Sequence, residues 1–198
     1  MRTIYLILLI LSVLLQSCHG QVKSPPKNIT NKEFNWQIEI PQGFESVPPD
    51  QWKIMQNRGA EAIEKTYDTE VENNSKTIFV FKSDQFNYFE SNYQSFDTTK
   101  HGNYLESFRT VNGILYGTFE AQMPNAKLDS TSSQEIIDGK LFQTFYVTIL
   151  IPDKITIECI LYSRLFGNRE FTVNIMTVDK EKQRILLKAW RNSKFGIK

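Results

Sequence analysis

The chain has two cysteines and two histidines among 198 residues, and those scarcities exclude a good deal of chemistry. Cys18 ends an apolar leader and Cys159 lies far downstream, so with Cys18 committed elsewhere no intramolecular disulfide can form. His19 adjoins Cys18 and His101 falls in a segment read as a loop, which leaves Cys159 with His101 as the one combination for a thiol nucleophile and its base. No G-x-S-x-G, Walker loop, H-E-x-x-H or G-x-G-x-x-G occurs, and hydrolase, kinase and dehydrogenase readings lose their usual starting points. Asp68, Glu70 and Glu72 take the first, third and fifth places of a calcium loop. Asn73 then stands where that loop turns on glycine and Phe79 where it needs a bidentate glutamate, so a solvated acidic loop is the reading and no metal is expected. A net charge of +1 provides no footprint for nucleic acid. Hydrophobic residues at 40% and charged ones at 23% are ordinary for a globular domain.

The sequence carries one long apolar run, at its start. Arg2 precedes Ile4–Leu15, which reaches Gln16-Ser17-Cys18. At about 1.5 Å per residue such a run spans roughly 18 Å as a helix, short of a hydrocarbon core of roughly 30 Å, so it reads as a signal sequence and not a span. Leu15-Gln16-Ser17-Cys18 resembles the bacterial lipobox. That resemblance implies cleavage before Cys18, leaving 181 residues, with acyl chains including palmitate on the new N-terminal cysteine. Several acyl chains on one residue anchor firmly, since each buried methylene contributes about 0.8 kcal/mol. The membrane, reached through the lipid on Cys18, is therefore an expected partner. Where the cell has an outer membrane, His19 in place of aspartate implies sorting to it, facing the periplasm.

Residues 18–33 are polar and carry Pro25-Pro26, which reads as a tether, and residues 34–198 are expected to form one domain. Phe34, Trp36, Ile38 and Ile40 alternate with polar residues and predict a strand, and Thr77–Phe81 predicts a second, largely buried one. Helical spacing is found in Trp52, Met55, Gly59, Ala62 and Ile63, with Asp50 as candidate N-cap. It recurs in Tyr104, Phe108, Val111, Leu115 and Phe119, and again from Asp179 to Asn192. Between the last two helices, segments 128–137, 141–151, 155–166 and 170–177 read as four strands joined by short turns at Asp138-Gly139, Pro152-Asp153-Lys154 and Gly167-Asn168-Arg169. Short turns make neighbours antiparallel. The expected fold class is α+β, an antiparallel sheet of about six strands flanked by helices.

Phe-x-Trp-x-Ile-x-Ile-Pro-x-Gly-Phe from Phe34 to Phe44, then a helix, an antiparallel meander and a last helix ending in Ser193-Lys194-Phe195, resembles the PsbP-like family. That family is named for an extrinsic photosystem subunit and shared by many small bacterial lipoproteins. The resemblance covers Phe34 to Phe195 and implies a binding or assembly module, not an enzyme.

Two residue groups invite a functional reading. Phe86, Tyr88, Phe89, Tyr93 and Phe96 crowd a short segment among amides and are the candidate ligand-binding residues, although a long loop pinned down by its own aromatics is the preferred account. Cys159 lies mid-strand with Ile157 and Leu161 on its own face and Glu158 on the other, which predicts a buried structural thiol. The function expected is a membrane-anchored envelope module without catalysis or cofactor. The alternative is a hydrolase-like enzyme with a carboxylate site that would show as clustered carboxylates in a deep pocket.

Overall fold

The computed structural model describes residues 27–71, 73–152 and 155–196. The leader, Cys18 and most of the tether lie outside the described residues, as do Glu72 and two residues of the turn at 152–154. The described chain runs β1 (Lys27–Asn31), β2 (Trp36–Ile40), β3 (Glu45–Ser46), α1 (Pro49–Tyr67), β4 (Lys76–Asp84), β5 (Asn87–Ser95) and a single turn of helix, α2 (Thr98–His101). It continues with α3 (Tyr104–Gln122), β6 (Lys127–Ile137), β7 (Lys140–Leu150), β8 (Thr156–Phe166), β9 (Arg169–Thr177), α4 (Lys180–Arg191) and β10 (Lys194–Phe195).

The class is α+β, as expected, with seven antiparallel strands in the order β3-β4-β5-β9-β8-β7-β6 and three more in a small sheet β1-β2-β10. The meander β6 to β9 follows the turn chemistry of its sequence. Asp138 and Gly139 both have positive φ, 47° and 74°, and Ile137 pairs with Lys140 across them, a two-residue hairpin whose twist suits the strands. In β7, Phe142 packs in one core while Phe145, Val147 and Ile149 pack in another, so both faces of the sheet are covered.

One face carries α4 and the small sheet. Trp36, Trp190, Phe89, Phe142 and Phe171 are fully buried there. The rings meet edge-to-face, as quadrupoles prefer: Trp190 lies 5.1 Å from Phe142 at 81°, and Trp36 5.1 Å from Phe171 at 86°. Polar ties hold α4 in place. Asp179 caps it by accepting from the N–H groups of Glu181 and Lys182. Glu135 accepts from the buried Tyr162 hydroxyl at 2.8 Å and from Arg191 Nε at 2.6 Å. Lys182 Nζ donates to Asp84 Oδ2 at 2.7 Å. Burial acts to raise the Asp84 pKa, but Lys182, the Phe86 N–H, Asn87 and Ser83 together hold it well below the usual carboxylate range.

The other face carries α1 and α3, which touch where the Tyr67 hydroxyl donates to the Ile114 carbonyl at 3.1 Å and Gln122 Nε2 to Thr66 Oγ1 at 3.2 Å. Gly117 allows that approach, because a Cβ there would run into the Tyr67 hydroxyl.

Four local expectations are corrected. Lys27–Asn31, read as part of a tether over residues 18–33, pairs with β2 in full register as a strand. Pro48, not Asp50, is the N-cap of α1, with Asp50 in its first turn. Val111 is half exposed while its neighbour Asn112 is buried, so α3 is rotated relative to its apolar spacing. His101 closes the short helix α2 and does not lie in an open loop; its Nδ1 accepts from the Asp97 N–H at 3.0 Å.

Candidate functional site

The crowded aromatic segment is a strand, not a loop. β5 sits between β4 and β9, pairing Tyr88 with Met176, Phe89 with Ile175 and Glu90 with Asn174. Aromatics at consecutive positions hide a period of two, because a strand covered on both faces does not alternate in polarity. The five candidates accordingly scatter. Phe89 stacks on Phe81 inside the first core with ring centroids 4.5 Å apart, and Tyr93 packs edge-on to Phe34 at 5.2 Å. Phe96 leans on His101 at 5.2 Å and Tyr104 at 5.8 Å, and Phe86 is exposed at the β4–β5 turn. Phe96 lines a polar hollow beside His101, and Tyr88 alone of the five lines the cavity beneath α1 and α3.

That cavity has a volume of about 280 Å³ and is roofed by Trp52, Gln56 and Gly59 of α1 and Leu115 and Phe119 of α3. Its floor is the sheet, with Phe145 and Val147 from β7, Cys159 and Leu161 from β8, Met176 and Asn174 from β9, and Tyr88 and Glu90 from β5. Strand register builds the floor in two rows: Val147, Cys159, Met176 and Tyr88 are cross-strand partners in series, and so are Phe145, Leu161, Asn174 and Glu90. The first row is apolar but for a thiol and a phenol. The second ends in a carboxylate.

Glu90 is 7% exposed. One oxygen accepts from Gln56 Nε2 at 2.8 Å and the other from Asn174 Nδ2 at 3.3 Å, so amides from a helix and a strand hold it in place. Trp52 packs edge-to-face on Tyr88 at 4.8 Å, and its buried Nε1 has no hydrogen-bond partner among the described residues. Burial, aided by the Glu90 carboxylate and by Cys159, drives the Tyr88 phenol far above its ordinary pKa and keeps it protonated.

Cys159 is on the expected strand and face, but it is half-buried and opens on the cavity, where a fully buried thiol was expected. Burial, and secondarily Glu158, pushes the thiol up to about 12, so it stays protonated and is a poor nucleophile at neutral pH. Glu158 itself points to the opposite face, where the Tyr146 and Thr148 hydroxyls donate to it. The carboxylate and thiol of the cavity thus have no histidine beside them, and His101 sits among Phe96 and Asp97 at another place in the fold. Among the described residues no three of His, Cys, Asp and Glu converge as metal ligands.

A consequence follows for Cys159 in a Cys18→Ser chain. At pH 8 its alkylation by iodoacetamide is expected to run roughly a thousandfold slower than that of an unfolded cysteine, from the thiolate fraction alone. Denaturant should restore the ordinary rate. A native rate within about tenfold of the unfolded one would contradict the apolar environment assigned to the thiol.

No protein-family model and no curated protein sequence matches the chain. Among solved structures, the solution structure of cyanobacterial PsbP (CyanoP) from Synechocystis sp. PCC 6803 matches with a TM-score of 0.55 at 10% identity, covering 92% of this chain and 99% of that one. The fold is PsbP-like. A fainter likeness, with a TM-score of 0.40 at 11% identity, covers 86% of this chain and 95% of the Ran-binding protein Mog1p of Saccharomyces cerevisiae. At such identities the likeness concerns the frame alone. The PsbP-like frame accounts for the order of elements.

Proposed function

We infer that the chain is a lipid-anchored envelope protein whose PsbP-like domain is a non-catalytic binding module, holding a small molecule in the cavity between α1, α3 and the sheet. The observation that carries this reading is the cavity itself. It has apolar walls and one buried polar end, the usual make-up of a small-molecule site, and its volume of about 280 Å³ lies just below the roughly 300–1,000 Å³ typical of sites for drug-sized molecules, which suits a smaller ligand. The hydrolase-like alternative asks for clustered carboxylates, and among the described residues Glu90 is the single carboxylate lining the cavity.

The anchoring half of the reading rests on the lipobox resemblance at Cys18. Among the described residues no helix is long and apolar enough to cross a membrane. Cys18→Ser is therefore expected to shift the protein from the membrane fraction to the soluble one, or to leave it unprocessed, in a flotation assay. Membrane retention of a correctly cleaved Cys18→Ser chain would refute lipid anchoring.

The binding half is tested with a small neutral aromatic, 2-phenylethanol, titrated against the full chain. The expected result is a saturable shift of the Met176 and Leu161 methyl resonances. Gly59→Leu should abolish it, because a Cβ at Gly59 meets no atom within 4 Å and the longer side chain can enter the cavity from the helix. The same change removes a helix-interior glycine, a residue about 1 kcal/mol less favourable there than alanine, so lost binding would not come from a weakened helix. A shift that persists in Gly59→Leu would place the probe elsewhere.

A further inference from the structure

Glu90 is a buried carboxylate that forms no ion pair among the described residues. Its partners are two neutral amides, one of them at a long 3.3 Å. A carboxylate offers about four lone-pair sites, so acceptor capacity is left over at the polar end of the cavity. Taking a carboxylate out of water is costly unless a cation or a full set of donors answers it. Among the described residues the lining includes no lysine, arginine or histidine to supply that cation.

Two further features stand at the same end. Tyr88 adjoins Glu90 in β5, and the Trp52 ring meets the Tyr88 ring at 66°. Faces of aromatic rings attract cations through the ring quadrupole, tryptophan most strongly. Beyond this end the walls are hydrocarbon, from Leu115 and Phe119 above to Phe145 and Val147 below.

We propose that the cavity selects a small amine: a primary ammonium set against Glu90 and flanked by Trp52 and Tyr88, joined to a compact apolar body lying between α3 and the sheet. This rests on the binding reading above and adds the class of ligand. An anion of the same size would meet a carboxylate with no basic residue to offset it. A neutral apolar molecule would leave Glu90 as underpaired as before. The ammonium of a zwitterionic lipid headgroup brings a phosphate with it, for which the cavity has no counter-charge, so the free amine is the occupant.

Three probes of one shape test this on the full chain: phenethylamine, 2-phenylethanol and 3-phenylpropanoate, each followed by the Trp52 indole N–H and Met176 methyl resonances. Phenethylamine is expected to bind at least about tenfold more tightly than either analogue. Glu90→Gln should erase that preference by weakening phenethylamine at least about tenfold. Gly59→Leu should remove all three. Equal affinities, tightest binding of the anion, or an amine preference that survives Glu90→Gln would each overturn the proposal. If 2-phenylethanol binds and the amine binds no better, the ammonium class fails while the binding module stands. If none of the three binds, both fail together.

Discussion

Trp190→Ala is expected to destabilise the domain by about 4 kcal/mol, a large share of the roughly 5–15 kcal/mol that holds a domain of this size folded. The residue is fully buried on α4, with ring contacts to Phe142 at 5.1 Å, Tyr162 at 5.3 Å and Trp36 at 6.1 Å. Those neighbours belong to β7, β8 and β2, so the indole joins the seven-stranded sheet to the three-stranded one through the helix. Truncation loses the transfer energy of the ring and leaves a void that rigid aromatic neighbours close poorly. One term works the other way. The Trp190 Nε1 is buried without a partner among the described residues, and alanine removes that orphan donor along with the ring. Trp190→Phe, which keeps most of the ring and also removes the donor, should therefore recover more than half of the loss. Lys188→Ala, on the exposed side of the same helix, should stay within about 0.5 kcal/mol. Urea unfolding of the three variants against the parent measures all of this, provided the slopes agree. A loss under about 1 kcal/mol for Trp190→Ala would mean that α4 is not docked as described.

Helix docking of this kind was legible in the sequence, because Ile185, Leu186, Ala189 and Trp190 recur on one side of a strongly charged segment. The meander was legible for a similar reason. Asp138-Gly139 and Gly167-Asn168 are turn residues by their own backbone preferences, and alternation from Leu141 onward then fixes the faces, down to Cys159 on one side and Glu158 on the other. β5 was not legible. One face of it packs Phe89 against Trp36 and Trp190 and the other packs Tyr88 against Trp52, so both are inward and the alternation that marks a half-buried strand is missing. β1 was hidden for the opposite reason: in Lys27–Asn31 only Ile29 packs against the core, and backbone pairing to β2 makes the strand.

The cavity was hidden by sequence distance. Glu90 meets Gln56 34 residues earlier and Asn174 84 residues later, and none of the three stands out by type or spacing. What makes Glu90 notable is burial without a cation, which only the register of β5 on β9 and the position of α1 can create. Tyr88 was singled out with four aromatic neighbours, and the pleat separates it from Phe89 by sending successive side chains to opposite faces. Cys159 was correctly placed on its strand, but its exposure depends on the gap between α1 and α3, and that gap depends on how Tyr67 meets Gly117.

Asp138 carries the second large expected effect, and it separates backbone conformation from hydrogen bonding. Its φ of 47° is unfavourable for most side chains, with aspartate and asparagine among the better tolerated. Its Oδ2 accepts from the Phe195 N–H at 2.8 Å and its Oδ1 from Lys194 Nζ at 3.1 Å, so the β6–β7 turn pins β10 across the end of the fold. Asp138→Ala loses both, about 1 kcal/mol of conformational preference and about 1–3 kcal/mol for a buried N–H left without its acceptor. Asp138→Gly relieves the conformational part and should lose the hydrogen bond alone. Asp138→Asn keeps the backbone preference and one acceptor, forfeiting chiefly an exposed ion pair worth about 0–1 kcal/mol. The expected order of loss is Asn, then Gly, then Ala, and equal losses for Gly and Ala would show that the backbone term is absent. Acid should compress the series. The Phe195 N–H, then Lys194, hold the Asp138 carboxyl below its ordinary pKa, so its contribution is complete above the unfolded value of about 3.9 and fades as pH falls through the lower folded one. Below that value the parent loses its advantage over Asp138→Asn, while the penalty for Asp138→Ala narrows only by that charge-dependent part, because the protonated carboxyl still accepts from the Phe195 N–H through its carbonyl oxygen. Urea midpoints for the series at pH 7 and near pH 2 decide it: a parent-to-Asn gap that is unchanged in acid would show that the carboxylate charge contributes nothing at this turn.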